Sequence, residues 1–385
     1  MPQSILMKKL FLLLFISSFA AGIAQNGNIR GFVYDKESGE PMSFVTVFLA
    51  GTNYGVQTNV DGFFSITQLP SGNFKLKIQS IDHDTAFFEM ISVKANDIIN
   101  KKFFVPKAAV QLEEINVDAE QQQKELDPNK PENIDPIKIK KLPSVGEPDL
   151  AQYLQILPGV VFSGDQGGQL YIRGGSPVQN KVLMDGMIIY NPFHSIGLFS
   201  VFDADIIRNA DVYSASFGAE YGGRVSSIMD ITTRDGNKKR ISGKIAGSPF
   251  GAKTLIEGPL KKLRDDGKGS SSFLFSAKTS YLPTTSKLLY SYVDPKGLPF
   301  SFNDYYGKIS MNAENGSKVN LFGFSFNDDV NYESIARFKW KSAGGGTNFV
   351  LIPQASNVLV EGNLAYSQYA IDVTENNDTT DRKST

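Results

Sequence analysis

Few residues of this sequence could make or break bonds. Cysteine is absent, so there is no thiolate nucleophile, thiolate metal site or disulfide framework. Two histidines, His83 and His194, are too few for a multi-histidine zinc or iron centre. The glycine corners Arg173-Gly174-Gly175, Asp185-Gly186 and Tyr221-Gly222-Gly223-Arg224 invite comparison with phosphate cradles. Neither G-x-x-x-x-G-K-[ST] nor G-x-G-x-x-G occurs, and there is no G-x-S-x-G elbow. The residues thus point to no catalytic group, no cofactor and no metal site. The corners read as places where backbone turns tightly or comes close to a neighbour. With 39 Lys+Arg against 40 Asp+Glu, the net charge of −1 also argues against nucleic-acid binding.

The elements that would position such corners are mostly β. Glycine (35 residues) and Phe plus Tyr (28 and 15) are plentiful, with a single Trp. Residues 1–24 read as a secretory signal. Lys8-Lys9 precede an apolar core from Leu10 to Phe19, and small residues at Gly22 and Ala24 mark a cleavage site before Gln25. Met7 is an alternative start, and no cysteine follows the core, so the signal is not of the lipoprotein kind. No later run reaches the ~18 apolar residues of a membrane helix, so any membrane span must be β.

Residues 25–110 alternate in short strands with turn signals between them: Ile29 to Tyr34, Phe44 to Leu49, Phe63 to Ile66 after Asp61-Gly62, and Phe74 to Ile78. Roughly seven strands at this spacing make a small sandwich. Residues 111–141 hold a strand-like heptamer, Leu112-Glu113-Glu114-Ile115-Asn116-Val117-Asp118, then a Gln-, Lys-, Glu- and Pro-rich tether. The heptamer could add to another protein's sheet edge or be the last strand of the sandwich.

Residues 142–240 read as an α+β unit. Ser144 to Glu147 has capping-box spacing, with Pro148 near the first helical position. Leu150, Tyr153, Leu154 and Leu157 share a helix face that Pro158-Gly159 ends. Strands follow at Gln169 to Ile172, Lys181 to Met184, Ala210 to Tyr213 and Ser226 to Thr232. Residues 241–385 carry ten-residue alternating segments. Tyr305, Gly307, Ile309 and Met311 oppose Asp304, Tyr306, Lys308 and Ser310. Phe273, Phe275 and Ala277 oppose Ser272, Ser276 and Lys278. Such segments, about five or six of them, are what a transmembrane barrel shows, and a soluble antiparallel sheet alternates in the same way. In Lys318 to Asn327 both faces are apolar, and Ile241 to Gly251 and Asn363 to Asp372 alternate weakly.

Two stretches carry family resemblances. G-x-V-Y-D-x-x-S-G-E-P-M-S-F-V-T-V and T-N-V-D-G-F-F-S-I, within 28–105, resemble the carboxypeptidase-regulatory-like domain. Peptidase activity does not follow. A zinc carboxypeptidase needs His-x-x-Glu, whereas His83 is followed at +3 by Ala86 and His194 by Gly197. D-L-A-Q-Y-L-Q-I-L-P-G-V (149–160), Y-I-R-G-G (171–175), K-V-L-M-D-G-M (181–187), the run from Ala204 to Arg224 and V-S-S-I-M-D-I-T-T-R (225–234) resemble, in order, the plug domain of TonB-dependent outer-membrane transporters. The sandwich and I-Y-N-P-F-H (189–194) are similar to the Bacteroidetes branch, which includes SusC-type importers.

The resemblance implies a mainly β fold: a small β-sandwich, an α+β plug and an incomplete antiparallel transmembrane β-barrel. A plugged lumen takes ~22 strands, more than the residues after Arg240 can supply, so the expectation is the N-terminal part of a longer transporter. The resemblance further implies that residues Leu112 to Asp118 act as the TonB-binding segment. It implies that Arg173 and Arg224 pair with acids on the barrel wall, and that the protein imports a glycan, peptide or metal chelate without being an enzyme. Implied partners are TonB with ExbB–ExbD, a SusD-like lipoprotein and a small substrate, at the outer membrane with the sandwich and segment 112–118 in the periplasm. Tyr190, Phe193, His194, Phe199 and Phe202 form an aromatic stretch that would face either a ligand or the wall. Rival readings are a periplasmic or surface binding module, and a signalling receptor that contacts an inner-membrane anti-sigma factor.

Overall fold

The computed structural model describes residues 26–80, 86–106, 131–134, 136–142, 147–163, 168–195, 197, 199–214, 216–264, 268–292, 294–332, 336–353 and 358–375, the side chains of 86–89 and 137 excepted. Segment 112–118, His83 and the signal lie outside them. Backbone contacts divide the chain into two compact units, the first built on β1–β7 and the second on β8–β21.

In the first unit the strands are β1 (Gly27–Asp35), β2 (Thr46–Leu49), β3 (Gly55–Gln57), β4 (Phe63–Leu69), β5 (Gly72–Gln79), β6 (Ala86–Val93) and β7 (Ile98–Val105). They form two sheets, β4-β1-β7 and β3-β2-β5-β6, with β7 parallel to β1. The period-2 pattern sends Ile29, Val33, Val47, Leu49, Phe64, Ile66, Leu76 and Ile78 into one shared core. Each such side chain contributes about 1.5–3 kcal/mol on burial.

The second unit opens with β8 (Glu132–Ile134), α1 (Pro136–Lys141) and α2 (Leu150–Leu154), followed by β9 (Val160–Ser163) and β10 (Gln169–Ile172). Next come β11 (Asn180–Met184), β12 (Met187–Ile188), β13 (Ile207–Tyr213) and β14 (Ser227–Thr233). A five-stranded sheet runs β12-β11-β14-β13-β8, with β11 parallel to β14. The cap of α2 departs from the sequence expectation. Asp149, not the Ser144–Glu147 box, is the N-cap, and its Oδ1 accepts from the Ala151 N–H at 2.7 Å. Leu150, Tyr153, Leu154 and Leu157 are buried as the helical face requires.

Seven antiparallel strands then form one open meander: β15 (Ser242–Gly247), β16 (Gly251–Lys261), β17 (Ser270–Ser280), β18 (Phe300–Asn312), β19 (Lys318–Tyr332), β20 (Ala336–Leu351) and β21 (Val360–Glu375). Helix α3 (Leu282–Leu289) sits between β17 and β18. Sequence patterning counts too few strands here, because β16 and β20 lack clean alternation. β20 has the side-chain-free run Gly344-Gly345-Gly346 at its centre. The faces divide by chemistry. Asp304, Tyr306, Lys308, Ser310, Ser272 and Ser276 are buried, while Phe275, Tyr305, Ile309, Met311, Ile256 and Leu321 are exposed. An apolar outer band with a polar inner face is the inverse of a soluble sheet and suits lipid. The two-sided apolarity of β19 has a physical reason. Phe322, Phe324 and Phe326 share the core of Met184, Phe202 and Ile231, so here the inner face meets protein rather than water. Among the described residues no helix is long and apolar enough to cross a membrane.

Candidate functional site

The glycine corners are tight turns. Arg173 (φ 47°) with Gly174 (φ 79°), and Asp185 (φ 49°) with Gly186 (φ 84°), put two consecutive residues in the left-handed region, the type I′ hairpin geometry. The Gly175 N–H closes the first turn on the Ile172 carbonyl at 2.9 Å. The second turn carries a site. Asp185 is buried and accepts from the Thr233 N–H (3.0 Å), the Thr233 hydroxyl (2.6 Å) and the Tyr306 hydroxyl. Lys308 Nζ lies 3.5 Å from it and donates to the Thr233 carbonyl at 2.9 Å. The Asn363 amide donates to the Asp185 carbonyl at 2.9 Å, so the turn engages both β18 and β21.

Two further acidic groups of the α+β unit meet lysines of the meander. Lys253 of β16 reaches Glu147 (3.2 Å), Asp203 (3.0 Å) and Asp205 (2.9 Å), and Lys244 and Lys140 join Asp205. Burial pushes the Asp205 carboxyl up, but hydrogen bonds from Lys244, Lys253 and Lys140 outweigh it and hold the group well below the usual carboxylate range. Asp235 is fully buried against Lys238 (3.0 Å), Arg208 (3.1 Å) and Lys318 of β19 (3.2 Å). Burial again pushes it up, and Lys318, Lys238, Arg208 and Lys308 hold it well down.

The expected arginine pairing is not seen among the described residues. Arg173 and Arg224 are exposed, and among the described residues neither is seen paired with an acid of the meander; Arg224 donates to the Gly223 carbonyl. Acids on the plug-like unit meet lysines on the strands instead. The reverse polarity occurs at Arg234, which donates to Glu257 of β16, and at His194, which faces Asp304 and Asp328 of β18 and β19. Sequence reading missed Asp149, Asp203, Asp205, Asp235, Lys253 and Lys318. The one available signal was a charge at an inward position of an alternating strand, as at Lys308.

The aromatic stretch divides. Tyr190 is half exposed and stacks on Tyr369 at 6.1 Å. Phe193 is buried edge-on against Phe162 at 5.4 Å, and Phe199 and Phe202 are buried, Phe199 with Leu282, Phe300, Phe302 and Val330. His194 is wholly buried. Its Nε2 lies 2.9 Å from Asp304, its Nδ1 3.0 Å from Asp328, and its ring stacks on Phe302 at 3.7 Å. Burial would push the imidazole down, but the two carboxylates outweigh it and raise His194 to about 9. A cleft of about 390 Å³ opens beside the stretch, lined among others by Gln169, Asn180, Tyr190, Phe193, Tyr332 and Trp340. Tyr190 and Phe193 therefore reach a cleft, while His194 and Phe199 lie in packed interior. In the last corner, Gly222, Gly223 and Arg224 are exposed and the Tyr221 hydroxyl donates to Asp230 at 2.8 Å.

Residues 29–117 match the family described as CarboxypepD_reg-like domain, and residues 128–227 match the TonB-dependent receptor plug domain. No curated protein matches the chain. Among solved structures, the siderophore receptor PirA from Pseudomonas aeruginosa is 17% identical over 63% of this chain and 41% of that one, with a TM-score of 0.43. The Serratia marcescens hemophore receptor HasR, solved with its hemophore HasA and heme, is 14% identical over 64% and 39%, with a TM-score of 0.48. The copper transporter OprC is 16% identical over 61% and 36%, at 0.43. The chain spans about two fifths of the length of these proteins. In this order, then, the chain carries a CarboxypepD_reg-like domain and a TonB-dependent receptor plug domain.

Proposed function

We propose that this chain acts as an outer-membrane TonB-dependent receptor that imports a nutrient (a glycan, peptide or metal chelate) by energy-coupled rearrangement of its plug. The observation that carries the reading is a plug domain packed on the inner face of a meander that buries polar as well as apolar side chains there, while its outer face is apolar. In the cycle, cargo binds at the outer face and segment 112–118 is offered to periplasmic TonB. TonB, driven by ExbB–ExbD, then pulls the plug from the strands. No bond in the cargo is broken. A SusD-like lipoprotein is a further proposed partner, and its presence would favour a glycan or peptide as cargo.

Since the chain has no cysteine, Ile115→Cys gives a unique thiol. The protein is expected to fractionate with the outer membrane, to need detergent for extraction, and to form a disulfide cross-link with a cysteine placed in the periplasmic domain of TonB. Recovery as a soluble protein without detergent would overturn the reading in favour of a binding module. A second reading of segment 112–118 is favoured by one observation: the CarboxypepD_reg-like match runs to residue 117, which would make the segment the sandwich's last strand. Deleting 112–118 separates the two. Coupling loses uptake and keeps insertion and sandwich stability, whereas a strand loses the sandwich's melting transition.

A further inference from the structure

His194 is flanked by acids on both sides: Nδ1 hydrogen-bonds Asp328, while Nε2 stands at ion-pair range from Asp304 without hydrogen-bond alignment. Its ring nitrogens face carboxylates on two adjacent strands, Asp304 on β18 at 2.9 Å and Asp328 on β19 at 3.0 Å. A neutral imidazole has one N–H and one lone pair, and that lone pair would point at a carboxylate oxygen. Two ionised carboxylates at this range are both offset only by an imidazolium, whose positive charge faces each of them. The other titratable or charged groups around it are few. Lys278 of β17 lies 5.2 Å above the Phe302 ring and donates to the Ser200 carbonyl at 3.0 Å. Asp149 accepts from the Ser200 N–H at 2.7 Å, and the Tyr369 phenol of β21 approaches from the Asp328 side. His194 and Lys278 offset Asp304 and Asp328, and Asp149 leaves the surroundings net acidic, which favours a cation at His194. The flat face of Phe302 covers the imidazolium at 3.7 Å, a cation–π arrangement.

The neighbours of His194 in sequence lie on the other side of the loop. Tyr190, Asn191, Pro192, Phe193 and Ser195 line the 390 Å³ cleft. The loop is folded on itself by the His194 N–H to the Phe199 carbonyl (2.9 Å) and the Val201 N–H to the Pro192 carbonyl (3.1 Å).

We propose that His194 is a cationic positioning residue: held doubly protonated between Asp304 and Asp328, it fastens residues 190–195 to strands β18 and β19 and thereby sets the wall of the adjacent cleft. Charge, not size, is the operative property. The contribution is complete below the ordinary histidine range and is lost as pH rises through about 9, because the seated imidazole holds its proton more tightly than a free one. Only the idea that the cleft receives cargo rests on the receptor reading; the fastening stands without it.

The chain's two histidines make the test direct. The full chain, labelled with ¹⁵N-histidine in detergent micelles, shows two imidazoles, and a His83→Gln sample assigns them. His194 is expected to carry protons on both nitrogens near neutrality, with a midpoint near 9. Asp328→Asn is expected to move that midpoint down toward the free value of about 6.5. A nitroxide on Tyr190→Cys is expected to be immobile near neutrality. It should become several-fold more mobile in Asp304→Asn/Asp328→Asn, which keeps size and removes charge. A singly protonated His194 near neutrality overturns the proposal in the unaltered side-chain cluster, whatever the variants do. A nitroxide equally immobile after charge removal overturns it too. Neither measurement needs TonB or cargo, so failure here is distinct from failure of the receptor reading.

Discussion

Asp185 shows how one side chain can join turn geometry to seating. Its backbone occupies the left-handed region (φ 49°), where Asn and Asp are tolerated far better than other non-glycine residues. Its carboxylate is the charge partner of Lys308, a cation with 1% side-chain exposure. Asp185→Ala strains the turn, orphans the Thr233 N–H and takes from buried Lys308 its direct ion-pair partner, with Asp235 left as a more distant anion. Stranding one partner of a buried pair costs about 3–5 kcal/mol. Asp185→Asn keeps the turn and an acceptor oxygen, so its loss should be clearly smaller. Denaturant midpoints of the two variants check this, and equal losses would show that the charge of Asp185 is unimportant. The turn itself is legible from Asp185-Gly186 in sequence. Its partners are not, because Lys308 is 123 positions away. The same holds for His194 and Asp328, 134 apart. A short motif reports local backbone, and ion pairs closed by tertiary packing leave no local signal.

At the scale of elements, the meander strands have two solvents: the plug on one face and, on the receptor reading, lipid on the other. Ile309 and Ser310 are sequence neighbours on opposite faces of β18, one exposed and one fully buried. Ile309→Lys should therefore hinder membrane assembly, costing roughly 2–4 kcal/mol if the site lies near the bilayer midplane. Ser310→Ala should leave assembly intact while losing the bond to Asp235. The yield of outer-membrane-inserted protein checks the pair, and equal yields would count against a lipid-facing Ile309. Period-2 reading succeeds on β17 and β18 because their two faces differ in polarity. It weakens on β19, where phenylalanines pack on the plug core, and on β20, where three glycines offer nothing to alternate. The start of α2 is ambiguous in the sequence for a related reason. Ser144 to Glu147 has the right spacing, but Asp149 has two uses, capping α2 and accepting from Ser200 across the fold. Tertiary context chose between two plausible caps.

On the receptor reading the plug is drawn out of the second unit, and the contacts there differ in how easily they yield. Each adjacent pair from β16 to β21 is held by a long run of main-chain pairing; β19 and β20 alone register fifteen positions from Lys318↔Val350 to Tyr332↔Ala336. The plug is held to the same strands partly by a core and partly by discrete polar groups at Asp185, Asp203, Asp205 and Asp235. When both partners regain water together, such charged contacts have a net worth of about 1.5–3 kcal/mol each. Ladder bonds come apart only if whole strands separate. The plug should therefore leave before the meander unravels. Ser272, fully buried on the inner face of β17, is placed to report this. In a chain without native cysteine, Ser272→Cys should resist a water-soluble maleimide while the plug is seated. With increasing urea it should become reactive while the β-sheet circular dichroism is still that of the folded protein. Reactivity that appears only together with loss of the sheet signal would mean that plug and strands form a single cooperative unit. Pulling on the plug would then have to dismantle the wall, and the proposed transport cycle would fail with it.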